Sequence, residues 1–170
     1  MQKLKQLLSG FFLVALTTMG ISTANAETTN STVGKFLAED VRLATLWKAI
    51  QTAGLEDALK GDGPFTIFAP DNAAFEQLGR GTFDDLVKDK EKLAKILKYH
   101  VIPGEKIVLS DKTKGTQTVK TLEGQNVVLT KPKKKRFFVN KAQVTEKDEI
   151  LVENGVVHIV DRVLLPPTGI

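Results

Sequence analysis

The spacing of the hydrophobic residues changes along this chain, from a helical period in its first half to compact apolar runs in its second half. In the first half, one set of apolar positions follows the i, i+3, i+4, i+7 spacing of a buried helical face: Leu43, Leu46, Trp47 and Ile50. Gly54 is suited to end that helix. Leu55 to Leu59 predicts a short second helix, and Gly61 to Pro64 predicts a turn.

A strand and then more helices follow this turn. Phe65 to Ala69 is a compact apolar segment that predicts a buried strand, and Pro70 ends it because proline lacks the N–H that a central ladder needs. Asp71 is then suited to a helix N-cap, since its carboxylate can accept from the free N–H groups of the next turn. The predicted helices are Asn72 to Leu78, Thr82 to Val87 and Glu91 to Lys98, with an inward face at Phe75, Leu78, Leu93, Ile96 and Leu97.

Beyond Pro103 and Gly104 the chain becomes rich in β-branched residues, and turn residues divide it into short segments. The predicted strands are Thr116 to Leu122, Asn126 to Thr130, Arg136 to Val139 and Gly155 to Val160, with a short one at Lys141 to Val144. The helices come first and the strands later, with one early strand among the helices. This order predicts an α+β domain with a mainly antiparallel sheet.

The first 26 residues have the organisation of an export signal. Lys3 and Lys5 precede an apolar run, and Ala24-Asn25-Ala26 fits the small-x-small cleavage pattern. Cleavage after Ala26 leaves 144 residues, which is one domain's worth of chain. We therefore expect a signal peptide at 1–26, a polar leader at 27–31, a folded domain at 32–167 and a short tail at 168–170, in the periplasm or outside the cell.

Composition narrows the interpretation in two ways. The chain has no cysteine, so the domain folds without disulfides and offers no cysteine for a lipid anchor. Cleavage of the signal peptide would remove Lys3 and Lys5 and lower the net charge from +4 to +2. Only local clustering of charge can therefore select a partner.

The local cluster of positive charge is a basic turn: Lys131, Lys133, Lys134, Lys135 and Arg136, with Pro132 among them. One interpretation is a solvated hairpin turn whose lysines discourage association between sheet edges. The other is an anion-binding patch for acidic polysaccharide, lipid headgroups or the acidic face of a protein. Phe137 and Phe138 beside it would suit the stacking of nucleic-acid bases, but export argues against a nucleic-acid partner.

Residues for catalysis are few. After cleavage the chain keeps two serines, Ser31 and Ser110, and two histidines, His100 and His158. Ser110 lacks the Gly-x-Ser-x-Gly context of a nucleophile elbow, although a triad assembled in space stays open. The sequence also has no His-Glu-x-x-His, EF-hand or Walker motif. We expect no bound metal, no cofactor and no enzymatic activity.

Three blocks of the sequence, in this order and at this spacing, carry a resemblance: Thr66 to Phe75, Leu97 to Ile102, and Asn154 to Pro166. Together they resemble the fasciclin-like domain family over about Ser31 to Pro167. The resemblance implies a β-sandwich or wedge flanked by N-terminal and mid-chain helices, in which the early strand pairs with the late one. It also implies a module for adhesion or protein interaction.

The resemblance indicates four candidate partner-binding residues. Asp71 and Asn72 have a structural interpretation as the N-cap and first turn of a helix, and the family links this segment to receptor binding. Tyr99 and His100 would be half-buried rings that hydrogen-bond to the backbone, and the family ties this pair to adhesion. His158 has the interpretation of a sheet residue, on one face with Val156 and Val160.

We therefore predict an exported, non-enzymatic module that binds another protein or cell-envelope or extracellular material. The alternative function is a small-ligand or lipid-binding module that uses a cleft between the helices and the sandwich. A sizeable closed apolar pocket would favour the alternative, and a solid core would favour the first prediction. A hydrolase is a distant third.

Overall fold

The helices form where the apolar periodicity predicts them, with one addition at the start. The computed structural model describes residues 28–29, 31–108, 115–133 and 136–167, so the predicted signal peptide with its cleavage site at Ala26 and the predicted tail at 168–170 lie outside the described residues. The helices are α1 (Val33–Glu39), α2 (Ala44–Ala53), α3 (Asn72–Gln77), α4 (Arg80–Lys88) and α5 (Lys90–Tyr99), with 3-10 turns at Val41–Leu43 and Asp57–Leu59.

The strands assemble into one curved sheet within the described residues. They are β1 (Thr28–Thr29), β2 (Phe65–Pro70), β3 (Val101–Pro103), β4 (Gly115–Lys120), β5 (Asn126–Lys133), β6 (Arg136–Val139), β7 (Ala142–Val152) and β8 (Gly155–Val160). Their order is β3-β2-β8-β7-β6-β5-β4, with β1 beside β7. β2 and β8 pair in parallel, as do β1 and β7, and the other neighbours are antiparallel. The predicted α+β class with a mainly antiparallel sheet is confirmed.

The parallel pair brings the first and last signature blocks together. Phe65 lies opposite Gly155 and Pro70 lies opposite Val160, so the two strands match along their whole length. A Cβ atom at Gly155 would overlap the carbonyl oxygen of Phe65. The side chain of Asn154 closes the same end of the pair by accepting from the Val33 N–H and donating to the carbonyls of Leu59 and Gly61. Early and late parts of the chain are therefore joined at this point.

The alternation of side chains along β2 and β8 creates two cores. Ile67, Ala69, Val157 and Ile159 face the helices, while Phe68 faces the opposite core. Phe68 packs there with residues of the distant strands β4, β5 and β6, which means that the sheet curves over itself as a wedge. Phe68, Phe75, Val157 and Ile159 are all buried, since none is more than 6% exposed, which confirms the burial predicted for the early strand and for Phe75.

Several elements differ from the predicted ones, and β3 (Val101–Pro103) is a strand that the sequence pattern did not predict. α1 has no predicted counterpart, although Val33, Phe36 and Leu37 have helical spacing and the Thr32 hydroxyl accepts from the Lys35 N–H at 3.4 Å. The predicted short strand at Lys141 to Val144 extends as β7 to Val152, with an irregular register between Val144 and Glu149. Charged residues in that stretch weaken the strand pattern of the sequence, so the full length of β7 depends on its pairing with β8. Thr28 and Thr29 of the predicted leader pair with β7.

None of the helices in the described part of the chain has the length and apolar character needed to span a bilayer.

Candidate interaction site

Asp71 is a helix N-cap, as predicted. It follows β2 with an extended backbone, and its Oδ1 accepts a hydrogen bond from the Ala74 N–H at 2.7 Å. This hydrogen bond satisfies one of the free donors at the start of α3. The side chain is half-buried, and one carboxylate oxygen is committed to the helix.

Asn72 acts on a different helix from its own. The residue before α2, Leu43, supplies no side-chain cap. Asn72 supplies one instead: its Oδ1 accepts from the Thr45 N–H at 3.0 Å, and its Nδ2 donates to the Val41 carbonyl at 2.9 Å. The amide therefore fixes α3 against the start of α2. Val41, beside it, is 81% exposed and is the most exposed large hydrophobic residue in the described part of the chain.

Tyr99 is buried, not half-exposed at the surface. Only 1% of it is exposed, and its hydroxyl donates to the Asn126 carbonyl and accepts from Asn140 Nδ2, both at 3.0 Å. Asn140 has φ of 54°, a left-handed conformation that asparagine tolerates better than most residues. Its Oδ1 accepts from the Val128 N–H at 2.9 Å. The buried Tyr99 hydroxyl therefore fixes the position of the turn between β6 and β7 through its hydrogen bond with Asn140.

His100 is equally buried, at 2% exposed. Its Nδ1 lies 2.8 Å from the Ile96 carbonyl, and its Nε2 lies 2.9 Å from the Leu164 nitrogen. Because the Leu164 N–H can only donate, Nε2 is the acceptor and Nδ1 carries the proton. Burial lowers the pKa of His100 from 6.5 to about 4, although the hydrogen bond to Ile96 raises it. His100 is therefore a neutral anchor for the C-terminal segment and presents no ring nitrogen to a partner.

Tyr99 hydrogen-bonds to the β6–β7 turn, and His100 hydrogen-bonds to the C-terminal segment. These two parts of the chain form the walls of one exposed depression, which we call the C-terminal groove. Its walls are the turn at Asn140 and Lys141 and the segment from Arg162 to Pro167, and its volume is about 550 Å³. Tyr99, Asn126 and Ala142 complete the lining. Leu165 in this lining is 42% exposed, and Lys141 and Arg162 are exposed cations. The predicted pair Tyr99 and His100 therefore lies beneath this depression, with Tyr99 in its lining and His100 behind the segment that ends at Pro167.

His158 is a core residue, as the sequence predicts. It is fully buried, its ring stacks on Phe68 with centroids 5.5 Å apart, and its Nε2 lies 2.7 Å from the Ile107 carbonyl. Nδ1 has no hydrogen-bond partner and lies 3.9 Å from Glu149 Oε2. Burial lowers the pKa of His158 from 6.5 to about 4, and the hydrogen bond to Ile107 acts in the opposite direction. The residue is therefore neutral near pH 7.

The basic turn is described only at its two ends. Lys131 is half-buried and its Nζ lies 4.3 Å from the centroid of the Phe137 ring, a cation–π contact that ties this lysine to the sheet. Arg136 is exposed at the start of β6. The side chain of Lys133 and all of Lys134 and Lys135 lie outside the described residues.

The space between the helices and the sheet is small. An apolar cavity lined by residues such as Leu37, Ile50 and Leu97 has a volume of about 30 Å³. A cavity needs at least about 10–15 Å³ to hold one water molecule, so this one is only about two to three times that minimum. Among the residues that the structure describes, no group of three or more histidine, aspartate or glutamate side chains is arranged to hold a metal ion.

Comparison with known proteins gives concordant results. The fasciclin domain family model matches residues 41–166. Protein sll1483 of Synechocystis sp. is 41% identical over 138 residues, covering 80% of this chain and 74% of that protein. The transforming growth factor-beta-induced protein ig-h3 of Sus scrofa is 40% identical over 138 residues, covering 81% of this chain but 20% of that protein.

The fold is also similar to a solved structure, a FAS1 domain pair from the insect cell adhesion molecule Fasciclin I, with a TM-score of 0.61 at 18% identity. That similarity covers 81% of this chain and 52% of the solved one, so this chain spans about half of the domain pair. The family match over residues 41–166 and the common fold identify this chain as a member of the fasciclin domain family.

Proposed function

We propose that this protein is an exported, non-enzymatic interaction module that binds another protein of the cell envelope or the extracellular space through the C-terminal groove. One observation carries the proposal: the buried rings of Tyr99 and His100 hydrogen-bond to the two walls of this exposed depression. Rigid walls lose little conformational entropy when a partner binds. The buried pair therefore serves recognition by holding the surface above it.

Family membership supports the class of function. The solved domain pair with the same fold comes from an insect cell adhesion molecule, and a binding role needs no reactive side chain. In the described residues both histidines are buried with a nitrogen on a backbone carbonyl, at Ile96 for His100 and at Ile107 for His158. Neither is placed as a general base for an external substrate.

The volume of the internal cavity argues against the small-ligand or lipid alternative. Ligand pockets for small molecules typically have about 300 to 1,000 Å³, whereas the apolar cavity between helices and sheet has about 30 Å³. An acyl chain would have to displace the packed side chains of Leu46, Ile50 and Leu97. The surface is therefore the better candidate for binding.

The two other predicted surfaces have supporting roles in this proposal. Asp71 and Asn72, beside the exposed Val41, form a second contact surface at the corner of α2 and α3. The basic turn from Lys131 to Arg136 attracts the acidic face of a partner, acidic polysaccharide or lipid headgroups before close contact forms. Because such attraction is electrostatic, it should weaken as salt rises to physiological concentration.

A site-specific cross-link tests the groove. The chain has no cysteine, so a single introduced thiol gives one attachment point for a photoreactive maleimide. Leu165→Cys places the probe at the groove, and Gln51→Cys places it on the exposed surface of α2. Both labelled proteins are added to intact envelopes of the exporting host and irradiated.

We expect a discrete cross-linked product from the Leu165 position, competed by unlabelled protein, and little from Gln51. Equal yields at the two positions, or no competable product at Leu165, would show that the groove is not the contact surface. Thermal unfolding of both labelled variants confirms that each is folded before use.

A further inference from the structure

The C-terminal groove has an unusual balance of charge. Lys141 and Arg162 line it, and no carboxylate does. In the described part of the chain, neither cation has a carboxylate within the 4.0 Å of a salt bridge. The nearest acid in sequence, Asp161, uses its Oδ1 to accept from the Gln143 N–H at 2.7 Å. The groove therefore presents positive charge that its own lining does not neutralise.

The same groove has an apolar wall. Leu165 is 42% exposed and lies in the lining with the half-buried Val163 and the exposed Pro167. When a partner covers a large apolar side chain that is exposed at the edge of a groove, the burial of that side chain stabilises the complex. A partner that matches both features carries carboxylates and apolar side chains close together, which a polysaccharide or a nucleic-acid backbone does not.

On this basis we propose that the C-terminal groove binds an extended peptide segment of a partner protein in which acidic and large apolar side chains alternate. The carboxylates pair with Lys141 and Arg162, and an apolar side chain packs on Leu165. Asn126 is exposed and lines the same groove, so its side-chain amide can hydrogen-bond to the peptide backbone. This inference rests on the proposed function and specifies the chemistry of its partner.

The alternative occupants differ in what they need from the groove. An anionic polysaccharide or a lipid headgroup would use Lys141 and Arg162 but not Leu165. A purely apolar segment would use Leu165 but not the cations. Variants at the two kinds of residue therefore separate the occupants.

The test is a titration of the ¹⁵N-labelled mature protein with a capped peptide of alternating glutamate and leucine. NMR spectra recorded at each step monitor binding. Two matched peptides replace glutamate by glutamine or leucine by serine, and a heparin oligosaccharide supplies anionic charge without apolar side chains. The variants are Lys141→Gln combined with Arg162→Gln, and Leu165→Ser. Lys48→Gln combined with Lys95→Gln is the control, since it makes the same change of charge at exposed lysines of α2 and α5.

We expect chemical-shift changes that centre on Lys141 and on Arg162 to Leu165. Binding should weaken about tenfold or more with the groove double variant and with the glutamine peptide, which is the effect of about 1.4 kcal/mol. Leu165→Ser and the serine peptide should each weaken it several-fold, and the control should stay within about twofold of the native protein.

Three results would overturn the inference: shifts outside the groove, equal losses in the control and groove double variants, or heparin binding that matches the peptide and ignores Leu165→Ser. If the peptide does not bind while the Leu165 cross-link forms, the groove remains the contact surface and only the proposed peptide chemistry is wrong. If the cross-link fails as well, the proposed function at this groove is wrong.

Discussion

The backbone N–H of Leu164 donates a hydrogen bond to Nε2 of His100 at 2.9 Å. This contact joins the end of α5 to the last segment of the chain, 64 residues later. It needs a neutral imidazole, because a doubly protonated ring has no lone pair to accept with. The position of the C-terminal segment and the protonation state of His100 are therefore linked.

Stability should fall as the solution becomes acidic. The pKa of His100 and of His158 is about 4 in the folded protein, below the ordinary value of 6.5. The unfolded chain therefore binds more protons than the folded chain between these two values, so the stabilisation is complete above about pH 6.5 and is lost as pH falls towards 4. At 1.36 kcal/mol per pKa unit, each histidine accounts for about 3 kcal/mol.

Urea unfolding between pH 7 and pH 4.5 measures this dependence. His158→Gln keeps a donor for the Ile107 carbonyl and removes one titrating group, so its stability should depend on pH about half as steeply. A free energy of unfolding that stays constant from pH 7 to pH 4.5 would contradict the burial of both rings. The carboxyl of Asp40, whose pKa is lowered by its hydrogen bond with Arg42, contributes below the histidine range.

Asn72→Ala should destabilise the protein by about 1–2 kcal/mol, because it removes the cap of α2 and leaves the Val41 carbonyl without its donor. Asn72→Asp keeps an acceptor for the Thr45 N–H and should lose less, about half as much. Chemical unfolding of both variants at pH 7 gives the comparison. Equal losses would mean that the acceptor at Thr45 contributes nothing.

Phe75→Ala should cost about 3–5 kcal/mol, the range of large-to-small aromatic changes in cores. Phe75 is 6% exposed and its ring meets Phe83 edge-on with centroids 5.3 Å apart. Val41→Ala, at a position that is 81% exposed, is the matched control and should change stability by less than about 0.5 kcal/mol. A loss below about 1 kcal/mol for Phe75→Ala, measured by urea unfolding, would refute its place in the core.

Gly155→Ala should destabilise the protein by more than about 2 kcal/mol, because the new methyl group would overlap the Phe65 carbonyl and push β2 away from β8. Gly81→Ala adds the same group in α4, where nothing beyond the neighbouring residues and the backbone of the helix itself lies within 4 Å, and should be neutral or stabilising by up to about 1 kcal/mol. Thermal unfolding of the pair decides the point. Similar midpoints for the two variants would show that the strands accommodate a Cβ at Gly155.

Processing is tested by the mass of the exported protein. The charged start, the apolar run and Ala24-Asn25-Ala26 predict cleavage after Ala26. Intact mass spectrometry of protein recovered from the exporting host should give residues 27–170. Recovery of the full-length chain from the membrane fraction would contradict the prediction.

The sequence by itself determined the elements whose signals are local. The apolar spacing from Leu43 to Ile50 predicts α2, and Gly54, with its left-handed backbone at φ of 67°, ends it. Asp71 caps α3 because the capping hydrogen bond spans only three residues. The alternation in β8 puts Val157 and Ile159 on one face by the same kind of short-range rule, and the structure shows that this face packs against the helices. The three blocks that carry the family resemblance are likewise read from the chain directly.

The tertiary structure alone decided what depends on residues far apart in the chain. Tyr99 is buried by its contact with Asn140, and His100 by its contact with Leu164, so no local pattern around the pair could show that both rings face inward. The C-terminal groove exists because those long-range hydrogen bonds bring a turn and a distant segment side by side. Burial and charge balance are sums over such neighbours. The sequence could therefore single out Tyr99 and His100 as a pair, but it could predict neither their full burial nor the surface that they support.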